Sequence, residues 1–397
     1  MIYRLFTALL CTTLTSGILP AGAGEGEWSG YVSSEYRAFL YKPADRRQHG
    51  NNLSLAAQPE YYREWDDGRQ NFTFVPFLRW DQNDSERSHV DIRELTWLKA
   101  ADDWELRVGI RKLFWGVTES QHLVDIINQT DLVEAADGEE KFGQPMLNLA
   151  LIRDWGTLDL FILPYFRERS FPGVDGRLRF GLPIDTDNAR YESSRQERNI
   201  DYAVRWESVI GDSDMGLSYF NGTSREPRFE IRHDGQALLP VYDLIEQWGL
   251  DLQATLGDWL WKAEIIRRSG QLEPYIALTT GFEYTFVGIM ESAVDLGILS
   301  EVLYDERGDN APAPFTDDIL LGARLILNDE QSSELLFGII VDIDDPGHLL
   351  ILESSRRLGS AWKITLEARA FLNIPGNDLL TGIRDDDYLQ LALARYF

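Results

Sequence analysis

From Leu296 to Phe397 the chain keeps a two-residue rhythm through successive segments, each separated from the next by turn chemistry. Alternation with period two places every second side chain on one face of an extended strand. Around Leu321, residues Ile319, Leu321, Ala323, Leu325 and Leu327 share one face, and Gly322, Arg324 and Asn328 share the other. The next segment sets Leu335, Phe337, Ile339, Val341 and Ile343 against Glu334, Gly338 and Asp342, after the polar turn Asn328 to Ser332. Leu350 and Leu352 then oppose Glu353. Trp362, Ile364, Leu366, Ala368, Ala370 and Leu372 oppose Lys363, Glu367 and Arg369, and Leu389, Leu391, Leu393 and Phe397 oppose Gln390 and Tyr396. The apolar faces carry no formal charge until Arg395, whereas the opposite faces carry both signs.

A soluble sandwich buries its apolar face in a core, while a transmembrane barrel turns that face to lipid and its polar face to a wet lumen. Three features favour the barrel: strand-like segments of about 9 to 13 residues, aromatic residues at the ends of apolar runs, and connections alternating between short and long. Trp104, Trp259, Trp261, Tyr304, Trp362 and the Tyr396-Phe397 pair sit at such ends, where amphipathic rings suit a membrane interface. Earlier strands are read at Trp28 to Leu40, Leu53 to Tyr61, Phe72 to Trp80, Val90 to Ala100, Trp104 to Ile110, Met146 to Ile152 and Leu158 to Phe166. Others follow at Ile200 to Trp206, Met215 to Phe220, Trp248 to Leu256, Trp259 to Ile265, Leu278 to Phe286 and Val294 to Tyr304. The expected fold is therefore an all-β transmembrane antiparallel up-and-down β-barrel of 16–18 strands, forming one domain over 24–397. An even strand number goes with both termini on the periplasmic side. Long polar connections run from Leu113 to Gln144, Gly173 to Asn199, Gly222 to Pro240 and Asp305 to Asp318. Joints such as 101–103, 257–258 and 358–360 read as periplasmic turns.

The first 23 residues read as a secretory signal: Arg4, an apolar stretch from Leu5 to Leu19, and Ala21-Gly22-Ala23 before a mature start near Gly24. That stretch is about 15 residues, against about 20 for a spanning helix. Cys11 is the sole cysteine, so the expected mature chain has no thiol and draws its stability from burial and hydrogen bonds. No later run of 18 apolar residues exists, which excludes a helical membrane protein and leaves strands as the route across a bilayer. The formal charge is −27, and no run of Lys or Arg is long, so nucleic acid is not an expected partner. Expected partners are outer-membrane lipid and lipopolysaccharide, the barrel-assembly machinery through Phe397, and a small solute.

The insertion 113–144 is the most informative for function. It begins at the Trp115-Gly116 bend, and Thr118 or Ser120 caps an expected helix in which Leu123, Ile126, Ile127 and Leu132 recur at helical spacing. Acidic Asp125, Asp131, Glu134, Asp137, Glu139 and Glu140 follow, which makes the segment a candidate constriction whose charges set selectivity; an extracellular flap is the alternative. Facing it, the inward positions supply Arg93, Arg107, Arg111, Arg167, Arg169, Arg205, Arg324 and Arg369, which either create a transverse field or neutralise neighbours such as Glu105 and Glu367. Ser120, His122 and Asp125 form the one compact Ser/His/Asp trio, a weak basis for a rim hydrolase because neighbours on one loop seldom stack in hydrogen-bond reach. The five histidines are scattered and no glycine-rich phosphate loop follows a strand, so no metal or cofactor is expected. Asp385-Asp386-Asp387 reads as a solvated strand entrance.

Several stretches carry a family resemblance: Leu106 to Gly116 (LRVGIRKLFWG), Asp159 to Tyr165 (DLFILPY) with Phe171-Pro172-Gly173, Glu301 to Gly308 (EVLYDERG), and Asp386 to Leu391 (DDYLQL) before Tyr396-Phe397. With these the chain resembles an uncharacterised family of proteobacterial outer-membrane porin-like barrels. That resemblance implies an outer-membrane location and a barrel, and it supplies no ligand and no catalytic residue. Arg395 departs from the apolar or aromatic residue commoner at that place in barrel-assembly signals. The expected activity is a non-enzymatic channel or transporter passing small solutes through a charged lumen. The alternatives are a barrel that binds or transfers hydrophobic ligands, and a rim hydrolase.

Overall fold

The computed structural model describes residues 26–376 and 378–397. The leader read above, with Arg4, Cys11 and the cleavage site, lies outside the described residues. The first seven strands are β1 (Glu27–Phe39), β2 (Asn51–Trp65), β3 (Gln70–Asp81), β4 (Val90–Ala100), β5 (Trp104–Arg111), β6 (Gln144–Arg153) and β7 (Gly156–Leu163). There follow β8 (Arg190–Tyr191), β9 (Asp201–Ile210), β10 (Ser213–Thr223), β11 (Arg228–Ile231), β12 (Leu238–Tyr242), β13 (Leu244–Leu256) and β14 (Trp259–Gly270). The last seven are β15 (Leu272–Phe286), β16 (Asp295–Asp305), β17 (Asp317–Ile326), β18 (Glu334–Asp342), β19 (His348–Leu358), β20 (Trp362–Leu372) and β21 (Tyr388–Tyr396).

Eighteen of these form a single antiparallel sheet in chain order, closed by β21 pairing with β1 from Tyr31↔Tyr396 to Phe39↔Tyr388. Closure leaves no sheet edge, so every strand has two ladder partners. Each of the eighteen segments read from the pattern overlaps one barrel strand, with ends that differ by up to several residues, as at β7, which stops at Leu163 and not at Phe166. The even number brings the start of β1 and the end of β21 to one rim, which also carries the short turns 66–69, 101–103, 154–155, 211–212 and 257–258. Gly211 and Gly257 open two of these turns at φ 64° and 66°, a left-handed conformation that Gly adopts without steric cost. The opposite rim carries the long connections 112–143, 164–200, 224–243, 306–316 and 373–387. One of these is not the featureless polar loop expected at 222–240: β11 and β12 pair there, β8 joins β12, and Leu239, Val241 and Tyr242 are buried.

Outward positions are apolar and exposed, as at Val302, Leu321, Phe337 and Leu391. On the turn-side rim Trp259 and Trp261 stack at 5.6 Å between centroids, with Phe282 and Tyr284 packed edge-on to Trp259. A sheet that exposes such residues around its whole circumference is stable only against an apolar surrounding. The inner face departs from the expected wet and polar lining. Met146, Phe161, Leu163, Phe220, Ile245 and Ile266 point inward and enclose Trp115, Val124, Ile126 and Ile127 of the 112–143 segment as a hydrophobic core inside the barrel. Leu299, Leu303, Leu320 and Ile340 form a second inward cluster on β16–β18.

One stretch of wall is weaker than the rest. The β2–β3 ladder is interrupted between Ala57↔Leu78 and Tyr61↔Phe74, where the register sets Pro59 opposite Pro76. Neither residue has an N–H, so two rungs are chemically absent at mid-wall. On the other side of Pro76 the β3–β4 register shifts through a bulge.

Candidate functional site

The expected helix in 113–144 does not form: the segment is an irregular chain with two isolated bridges, Thr130↔Lys141 within it and Asp131↔Ser170 to the 164–200 connection. Its backbone donors are taken by the barrel wall, which removes the gain from i→i−4 bonding. Glu264 of β14, fully buried, accepts from Val117 N (2.7 Å), Thr118 N (3.1 Å), Thr118 Oγ1 (2.7 Å) and Val124 N (3.2 Å). Glu301 of β16 accepts from Glu119 N (2.7 Å), Ser120 N (2.8 Å) and Ser120 Oγ (2.6 Å). Leu123, Ile126 and Ile127, whose spacing suggested a helix, instead follow the contour of the inner wall.

The far half of the segment is tied to the opposite wall. Asp131, fully buried, accepts from Arg93 Nη2 (2.7 Å) and Ser170 Oγ (2.7 Å), with His89 Nε2 at 3.2 Å. Burial works against its charge, yet the His89 hydrogen bond and the Arg93 charge win and hold its carboxyl below the usual range. Glu134 meets Arg79 Nε of β3 at 2.6 Å, and Asp137 meets Arg369 Nη2 of β20 at 3.0 Å. Glu119 reaches Arg324 Nη2 of β17 at 2.7 Å. Contacts with β3, β4, β14, β16, β17 and β20 are made from one insertion, so the segment crosses the interior of the barrel.

The arginines singled out in the sequence separate into distinct groups. Arg93, Arg324 and Arg369 bind the inserted segment directly. Arg107 pairs with its face neighbour Glu105, Arg111 Nη1 donates to Asn148 at 2.9 Å, and Arg205 makes a two-pronged contact with Asp251 of β13 at 2.7 and 2.9 Å. Arg167 and Arg169 are not on a strand face, because β7 ends at Leu163 before Pro164. Arg167 reaches Asp91 at 2.7 Å from the 164–200 connection, and Arg169 donates to the Arg225 carbonyl at 2.7 Å. Asp125 is buried near Lys141 (3.5 Å), and burial pushes its carboxyl up. Phe397 ends the chain half-exposed, with its N–H on the Gly30 carbonyl at 3.1 Å.

Ser120, His122 and Asp125 are not assembled as a triad. Ser120 donates to Glu301, Asp125 faces Lys141, and His122 Nε2 lies 3.1 Å from Glu139 with Nδ1 3.8 Å from Glu264. Burial opposes charge on His122, but the two carboxylates outweigh it and push its pKa up to about 10. A raised pKa means the tie is complete below about pH 6.5 and is lost as pH rises toward about 10. The denaturation midpoint of the refolded barrel is accordingly expected to fall across that window, and His122→Gln is expected to remove part of the fall. An equal fall in both proteins would dismiss the tie.

Asp385-Asp386-Asp387 is likewise not a solvated entrance throughout. Asp386 is buried against Arg177 (2.6 Å), and Asp387 accepts from Phe371 N at 2.8 Å. Glu264, Glu301, Arg79, Arg177 and Arg225 were not singled out from the sequence. Glu264 and Glu301 do occupy inward alternation positions, which is the signal that marks them.

No protein-family model matches the chain, and no curated protein matches it. Among solved structures, Pseudomonas aeruginosa OccK8 (OprE) superposes with a TM-score of 0.53 at 11% identity over 95% of this chain and 99% of that one. A loop-deletion mutant of OmpT, an outer membrane protein of Vibrio cholerae, gives 0.46 at 10% identity over 95% and 100%. A Rh. blastica porin mutant gives 0.45 at 10% identity over 94% and 100%. At such identities the OccK8 likeness is one of fold: a closed antiparallel β-barrel of the outer-membrane kind.

Proposed function

We propose that the protein is an outer-membrane channel, secreted by a cleaved leader, in which the 113–144 segment narrows the lumen and sets what passes. The observation that carries this reading is the fixing of that segment across the barrel interior, with Glu264 and Glu301 on one wall and Arg93 and Arg369 on the other. An exposed apolar outer wall with an aromatic rim supports membrane residence. Charged side chains around a constriction give a barrel its selectivity, because an ion leaving water meets fixed opposite charge at close range.

The refolded protein in a planar bilayer is expected to show discrete conductance steps in potassium chloride. Absence of steps at every voltage would sink the channel reading. The inward clusters around Ile266 and Leu320 favour a second reading, a barrel that takes up ligands with apolar parts, which calls for an apolar patch on the lumen side.

A further inference from the structure

At the loop-side rim, a cavity of about 330 Å3 lies between the inserted segment and the connections 164–200, 224–243, 306–316 and 373–387. That volume falls within the range of small-molecule sites. Its lining has two chemistries. One side is apolar: Phe171, Phe180 and Phe315 from the connections, with Leu379, Leu380 and Ile383 from the turn before β21. Phe171 and Phe180 pack on Phe229 at 5.7 and 5.2 Å, so this wall is preformed. The other side is basic: Arg169, Arg225, Arg268 and Arg307, with Tyr275 beneath them. Arg307 lies 3.7 Å over the Tyr275 ring.

The acids of the lining do not leave a negative site, because each already has a basic partner. Asp125 faces Lys141 at 3.5 Å, Asp137 faces Arg369 at 3.0 Å, and Glu139 faces His122 at 3.1 Å. Glu226 faces Arg268 and Asp305 faces Arg307, both at 2.6 Å. Arg225 is matched by Asp201 (2.7 Å) and Arg179 by Asp45 (3.0 Å). Among the described residues, Arg169 is the basic lining side chain with no carboxylate at ion-pair distance; it rests on the Arg225 carbonyl and on Gln129 Oε1 at 3.4 Å. Among the described residues, five buried polar atoms of the lining have no protein hydrogen-bond partner: Arg179 Nε, Arg225 Nη2, the Tyr275 hydroxyl, His122 Nδ1 and Asp125 Oδ2. A buried guanidinium without a counter-charge is costly, so Arg169 is the group of this wall that an anion in the cavity would stabilise.

We infer that this cavity binds an amphiphilic organic anion: a single anionic group on Arg169, with an arene or short alkyl body against Phe171, Phe180 and Leu380. The inference deepens the channel reading, on which it rests for the ligand's passage onward through the lumen. Recognition is by charge at one end and apolar area at the other, so neither a cation nor a neutral body of the same shape fits both halves.

The test is calorimetric titration of the refolded protein in micelles with benzoate, benzylammonium and benzyl alcohol. Benzoate is expected to bind, and the other two to bind at least about tenfold more weakly, a difference of about 1.4 kcal/mol. Arg169→Gln is expected to remove the preference for benzoate over benzyl alcohol, Arg169→Lys to keep it, and Phe180→Ala to weaken all binding while leaving the preference. Equal binding of benzoate and benzyl alcohol, or a preference unchanged in Arg169→Gln, overturns the site. Potassium chloride conductance of the same preparations separates the two readings. A conducting barrel that ignores benzoate loses the site and keeps the channel, and a benzoate-binding barrel that never conducts does the reverse.

Discussion

Replacing Glu264 and Glu301 together by glutamine is expected to raise the single-channel conductance severalfold and to add rapid flicker. The two carboxylates accept from the backbone of Val117, Thr118, Glu119, Ser120 and Val124 and from two hydroxyls, and both are buried. Hydrogen bonds to a charged group contribute about 1.5–3 kcal/mol each, and an amide keeps one acceptor oxygen where the carboxylate has two. Loss of several at once exceeds thermal energy many times over, so residues 117–124 leave the wall and the lumen widens. The barrel itself should stay folded, because the ladder bonds of β14 and β16 are made by backbone. An unchanged conductance with unchanged flicker would place the narrowest point elsewhere. The single variants separate the two anchors, and they are expected to add less than fully because they hold adjacent residues.

The second large effect is expected from Asp131→Asn. Asp131 is fully buried and joins three elements: Arg93 on β4, His89 ahead of it, and Ser170 in the 164–200 connection. An amide keeps the shape but loses the charge and turns a donor toward one of these donors, which leaves Arg93 with Asp91 at 3.1 Å as its remaining carboxylate. Breaking a buried ion pair from one side costs about 3–5 kcal/mol. The urea midpoint of the folded barrel, followed by its electrophoretic shift, is the readout. A change equivalent to less than about 1 kcal/mol, the level of an exposed pair, would show that this end of the inserted segment is not held by charge. Arg93→Gln and the double variant complete the cycle and isolate the pair from the rest of the network.

Strand legibility was high for a physical reason. In a barrel each strand has one face toward lipid, and lipid accepts no charge, so Leu335, Phe337, Ile339 and Val341 cannot be exchanged for polar residues without cost. The inner face has no such rule. Leu299, Leu303, Leu320 and Ile340 lie inward, and nothing in the period distinguishes a lumen filled by the chain's own side chains from one filled by water. The strand arginines were findable because they fall on the inward phase of the alternation, but their partners were not. Arg93 meets Asp131 and Arg369 meets Asp137 across spans of 38 and 232 residues, distances over which sequence spacing carries no geometry.

The helix expected at 118–132 shows the same limit from the other side. Helical spacing of Leu123, Ile126, Ile127 and Leu132 measures which residues want burial, not how the backbone between them runs. Glu264 and Glu301 offered the donors of residues 117–124 charged acceptors, which are stronger partners than carbonyls four residues back, and an irregular path along the wall won.

What the sequence determined alone was the wall: a barrel of 16–18 antiparallel strands, the apolar outward phase of its C-terminal strands, and the even count that returns β21 to the rim where β1 starts. These follow from the period-two rule between neighbours in the chain and from closure of the sheet. Only the tertiary structure decided what fills the wall, which acids hold 113–144 and which basic residue is left over beside the rim cavity. Those outcomes depend on contacts between residues far apart in the chain. They are settled by competition for buried hydrogen-bond partners once the barrel has closed.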